Sequence, residues 1–77
     1  MTLDQLKIGE TATIAEITGE PALLQRLLEL GLLEGETIEL LARAPLGDPI
    51  EIRCGDSRLS LRKREAAGVL LAPMPDR

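Results

Sequence analysis

Between Thr37 and Arg62 the sequence alternates apolar and polar residues in three separate stretches, each too short to be a helix of ordinary length. Ile38, Leu40 and Ala42 alternate with Thr37, Glu39, Leu41 and Arg43; Ile50 and Ile52 with Glu51 and Arg53; Leu59 and Leu61 with Ser60 and Arg62. A period of two sends successive side chains to opposite faces, as a half-buried strand requires. The Pro- and Gly-rich stretch from Ala44 to Pro49 reads as a loop, and Gly55-Asp56-Ser57 turns the second and third stretches into a hairpin. Thr11 to Ile17, rich in Thr and Ile and ended by Thr18-Gly19, reads as a first strand, and Val69 to Leu71 as a last one after a polar turn at Lys63 to Ala67. Five short strands in so small a chain leave long edges exposed unless the sheet curls on itself. The expectation is a mostly β fold, a small closed or nearly closed barrel.

One short helix completes it. Pro21 suits a first helical position, where its missing N–H has no partner to lose, and Gly31 suits the left-handed residue just past the end, so the helix is expected over 21–30. Leu23, Leu27 and Leu30 would pack it across one end of the barrel. At about 100° per residue the five leucines of this helix sweep an arc of roughly 160°, wider than one core face needs, with Leu24 and Leu28 at the edge. Near the start, Thr2-Leu3-Asp4-Gln5 has the form of a capping box, predicting a single helical turn whose Leu3 and Leu6 close the core.

With 77 residues, one domain over 1–77 is expected, its residues 72–77 a frayed tail. The core must be aliphatic, because the chain has 16 Leu, 6 Ile and 1 Val but no aromatic residue. A small barrel so filled leaves little room for a deep metabolite pocket. No apolar run approaches the roughly 20 residues that span a bilayer, so no direct membrane insertion is expected. The single Cys54 has no partner for an internal disulfide, and no secretory signal opens the chain; a cytoplasmic location fits.

The missing residue types exclude much chemistry. Without any His there is no common base for a nucleophile, and Cys54 reads as an inert thiol at a strand end. Glu34, Glu36 and Glu39 match no calcium loop and read as a solvated acidic face. No phosphate-cradling glycine motif is present. The expectation is therefore no enzyme, no catalytic residue, no cofactor and no metal site within one monomer. The net charge of −4 disfavours nucleic acid, as does the lack of aromatic platforms for bases. The charge is uneven: residues 1–51 sum to −7 and residues 52–77 to +3, with Arg62, Lys63 and Arg64 in a row.

Three segments in register carry a resemblance. Arg26-Leu27-Leu28-Glu29-Leu30-Gly31-Leu32 with Gly35, then Ala44-Pro45-Leu46-Gly47-Asp48-Pro49-Ile50, then Leu59-Ser60-Leu61-Arg62-Lys63-Arg64-Glu65-Ala66 resemble the FeoA family of ferrous iron transport, over some 65 residues of the chain. The resemblance implies an SH3-like barrel in the cytosol that serves FeoB, the membrane protein that brings ferrous iron into bacteria, by binding its cytosolic part. A similar barrel is appended to metal-dependent repressors, where it senses or responds to a transition metal. That use needs a winged helix-turn-helix ahead of the barrel, and here the chain is expected to enter the barrel directly. The surplus leucine edge and the basic triplet then predict the partner surface. Leu24, Leu28, Leu32 and Leu33 would form one apolar patch, and Arg62, Lys63 and Arg64 would orient the partner. Self-association is left open.

Overall fold

The computed structural model describes residues 1–73. The elements run in the order of a 3-10 turn at Leu3–Gln5, β1 at Thr11–Ile17, α1 at Pro21–Glu29, β2 at Thr37–Arg43, β3 at Ile50–Cys54, β4 at Ser57–Leu61, α2 at Lys63–Ala66 and β5 at Val69–Pro73. The expected strands and helix are all present. The polar turn expected at 63–67 is helical, and the last strand extends past the expected Leu71 to Pro73. The expected tail thus gives up residues 72 and 73 to β5; its remaining four residues lie outside the described ones.

All strand pairs are antiparallel, in the order β4-β3-β2-β1-β5. The sheet curls around one aliphatic core and, among the described residues, does not close by hydrogen bonds, because β4 and β5 are its two edges. The seam between them is spanned by α2, which carries the chain from one edge to the other. Ala12, Ile14, Ile38, Leu40, Ile50, Ile52, Leu61 and Val69 fill the interior, each at most 1% exposed. Leu3 and Leu6 close one end, as the capping box predicts. There Gln5 accepts a 2.9 Å bond from the Thr2 backbone N–H, holding the turn in place. Full burial of each Leu or Ile stabilises by about 1.5–3 kcal/mol, so the core dominates the stability of the fold.

Two strands depart from strict alternation, each for a legible reason. In β1, Ala12 and Ile14 point inward, and the next inward position would bury Glu16. A register shift between Ile14 and Glu16 inserts one extra residue, so that Glu16 stays exposed opposite Leu70 while Ile17 pairs with Val69. In β2 the shift falls between Leu40 and Ala42. The expected inward alternation therefore ends at Leu40. Ala42 is half-buried, and Arg43 stands opposite the buried Ile50. Its guanidinium donates to the backbone carbonyls of Asp4, at 2.9 Å, and of Leu6, which clamps the N-terminal turn to β2.

Candidate partner-binding surface

Helix α1 ends in a way that sorts its leucines. Leu30 is the last residue near helical geometry, and Gly31 follows at φ +91°. The Gly31 N–H donates to the Leu28 carbonyl at 3.0 Å and the Leu32 N–H to the Leu27 carbonyl at 3.0 Å, the paired bonds of a Schellman end. This path folds Leu32 back beneath the helix. Leu32 is 1% exposed and belongs to the core beside Leu27. The expected apolar patch is corrected here: Leu32 is its floor and not part of its accessible face. The next residue, Leu33, points out and is 42% exposed, while Leu28 is 53% exposed.

The surplus edge of α1 is thus real and local. Leu24, Leu28, Leu32 and Leu33, with Ile17 from β1 and Glu34 at the rim, line an open groove of about 380 Å3. Leu23 and Leu30, by contrast, pack against the core as expected, around the fully buried Leu27. Ile17 was absent from the sequence expectation. Its signal lay in Glu16, an acid at an inward position of an otherwise regular strand, which asks for a bulge and so turns the next apolar residue.

The basic triplet does not join the leucines. Arg62 and Arg64 line a separate concavity with Arg26, Pro49, Ser60, Leu61 and Glu65. Leu24 and Leu28 lie on one flank of α1 and Arg26 on the other, so the two expected halves of one surface are on opposite sides of the helix. Arg62, Lys63 and Arg64 are all exposed.

Polar contacts gather instead at the seam. Arg26 of α1 pairs with Glu65 of α2, whose second carboxylate oxygen accepts the Arg62 backbone N–H at 2.9 Å. The Asp48 carboxylate accepts the Lys63 backbone N–H at 2.9 Å, fastening the loop 44–49 to the start of α2. All three segments that carry the resemblance meet here: Arg26 from the first, Asp48 from the second, and Arg62, Lys63 and Glu65 from the third. Gly68, just beyond α2, approaches the residue after β1 so closely that a Cβ would lie 2.3 Å from the Thr18 carbonyl oxygen. That contact is secured by the Thr18 N–H, which donates to the Gly68 carbonyl at 2.7 Å.

Cys54 ends β3 in the core, with its Sγ 3.8 Å from the Gly31 carbonyl oxygen. Burial, helped by the charge of Glu36, pushes the pKa of its thiol up from the ordinary value, which disfavours the thiolate. Among the described residues no group of three or more His, Cys, Asp and Glu is placed to hold a metal ion. Glu39 instead stands opposite Arg53 across β2 and β3. Among the same residues no helix is long and apolar enough to cross a membrane.

The family model of the FeoA domain matches residues 1–73. The chain belongs to the FeoA domain family. The Fe(2+) transport protein A/Fe(2+) transporter FeoB fusion protein of Porphyromonas gingivalis is 38% identical to it over 69 residues, which are 90% of this chain and 8% of that protein. This FeoA domain therefore spans a small fraction of the curated relative it matches. The FeoA protein of Chlorobium tepidum superposes with a TM-score of 0.92 at 40% identity, covering 97% of this chain and 71% of that one. A FeoA of Stenotrophomonas maltophilia, solved in complex with zinc and described as a procaryotic SH3 domain protein, gives a TM-score of 0.82 at 32% identity, over 94% of this chain and 89% of that one. The expected SH3-like barrel stands, and so does membership of a family associated with ferrous iron transport. A manganese-dependent transcriptional repressor also superposes, with a TM-score of 0.88 at 20% identity over 96% of this chain and 41% of that one. At that identity the likeness is one of fold alone.

Proposed function

We propose that this FeoA domain is a cytoplasmic accessory protein of bacterial ferrous iron uptake that acts by binding the cytosolic part of a FeoB-type transporter, and not by catalysis. The observation that carries the reading is the leucine groove. Leu28 and Leu33 leave apolar surface in water beside a core that has no further use for it, around a concavity that an apolar side chain of a partner fits. The fused relative, which joins the two activities in one chain, supports the choice of partner. Leu24, Leu28 and Leu33 form the anchor over the buried Leu32. Arg62, Lys63 and Arg64, on the far flank of α1, lie outside the anchor and act through encounter rate and orientation.

The test is a titration of the FeoB cytosolic domain from the same organism with the parent chain and with Leu28→Asp and Leu33→Glu. Each substitution should weaken binding by about tenfold or more, the equivalent of losing one buried leucine. Charge reversal at Arg62 and Arg64 should slow association and lower its salt sensitivity with a smaller change in affinity. Parent and leucine variants that bind equally well, with unchanged thermal melts, would remove the groove from the interface.

A further inference from the structure

The most exposed large apolar side chain among the described residues is Leu46, 97% accessible at the tip of the loop between β2 and β3. The loop is rigidly built. The Gly47 N–H donates to the Ala44 carbonyl at 2.7 Å, the Ala44 N–H to the Pro49 carbonyl at 3.0 Å, and Asp48 is tied to α2 through Lys63. Pro45 and Pro49 bracket the tip. Gly47, at φ +86°, supplies the turn geometry, so the fold itself asks for no leucine beside it. A fixed apolar knob is therefore held in water, with no partner among the described residues.

The groove and the knob are complementary in three respects. One is concave and the other convex. The groove adjoins the residues that lead into β2 and the knob follows the end of β2, so the seven residues of that strand stand between the knob of a copy and its own groove. Their charges are also opposite. Glu34 lines the groove, and the exposed Glu29 and Glu36 neighbour Leu28 and Gly35 in the chain. The loop adjoins Lys63, and its Pro49 shares a concavity with Arg26, Arg62 and Arg64. We propose that the knob and groove belong to one self-complementary contact: Leu46 of one copy seats among Leu24, Leu28 and Leu33 of a second, with the basic triplet of the first facing the acidic rim of the second. A contact between two different patches of the same chain is heterologous. Because the contact fills the groove proposed for the transporter, the copy whose groove is occupied is closed to that partner, and the two occupants compete for one site.

Sedimentation velocity of the full chain from micromolar to millimolar concentration tests this, alongside Leu46→Asp and Leu28→Asp, both at exposed positions and checked for folding by circular dichroism. The parent should associate with rising concentration and more weakly at high salt, and each variant should lose about tenfold or more of that affinity. An equimolar mixture of the two variants should recover one-to-one pairs, since Leu46→Asp keeps an intact groove and Leu28→Asp an intact knob. A parent that stays monomeric to millimolar concentration overturns the proposal, as does a mixture that fails to pair when the parent associates. A Leu46→Asp chain that loses affinity for the transporter's cytosolic domain, beside a monomeric parent, assigns the loop to that partner and overturns it equally.

Discussion

The seam at α2 and the groove beside α1 lie on opposite flanks of the same helix, and they are built on opposite principles. At the seam the named polar groups are matched: Arg26 with Glu65, Glu65 with the Arg62 N–H, Asp48 with the Lys63 N–H, Thr18 with Gly68. At the groove, apolar surface at Leu28 and Leu33 is left without a counterpart. The three segments by which the family is recognised meet at the seam. The polar residues they bring there mark how the barrel is fastened shut, whereas the surface that a partner would use takes only Leu28 of its exposed face from the first segment and draws Leu24 and Leu33 from outside all three. The family signature thus reports the fold more directly than it reports the binding site.

Substitutions separate the two regions by the size of their effect on stability. The largest loss is expected for Leu32→Glu, which places a carboxylate in the core beneath the groove. Its cost of several kcal/mol is a large share of the roughly 5–15 kcal/mol that holds a domain folded, and circular dichroism should show an unfolded chain. Gly68→Ala comes next. Its Cβ would meet the Thr18 carbonyl, so backbone must move at the seam, at about 1–3 kcal/mol, read as a lower urea midpoint with an unchanged slope. Glu65→Ala removes the acceptor shared by Arg26 and the Arg62 N–H. Because Arg26 is half in solvent, the cost should be near 1 kcal/mol and a few degrees of melting temperature. The smallest effect belongs to Leu33→Glu, which should change stability by no more than about 0.5 kcal/mol while weakening partner binding. A strongly destabilised Leu33→Glu would erase the distinction between floor and face.

Much of this architecture was legible because backbone demands leave residue-specific marks. Period-two stretches around Ile38, Ile50 and Leu59 placed the strands, and Pro21 and Gly31 placed the ends of the helix within one residue. The fate of Leu32 was also written there, one step further on: a residue after a Schellman glycine packs back against the last turn of the helix, so Leu32 belongs with Leu27. Glu16 marked the bulge in β1 in the same way. The position of Arg43 was not legible. It depends on a register shift at Leu41, an apolar residue that gives no local reason to leave the ladder. Nor was the separation of the basic triplet from the leucines, because which flank of a helix faces a loop some 35 residues away is decided by tertiary packing and has no periodic trace.

The central claim is that the groove face of Leu24, Leu28 and Leu33 is where the transporter's cytosolic domain binds. Leucine methyl groups report on it directly, since the chain carries 16 of these residues across groove, core, loop and sheet and no aromatic ring to complicate their shifts. Methyl-labelled Leu46→Asp protein, chosen to remove self-association, would be titrated with the FeoB cytosolic domain and followed by NMR. The account predicts shift changes concentrated at Leu24, Leu28 and Leu33, with smaller ones at Leu32 beneath them and none at Leu59 or Leu70. Changes concentrated at Leu59 or Leu70, with the groove methyls unmoved at saturation, would contradict it.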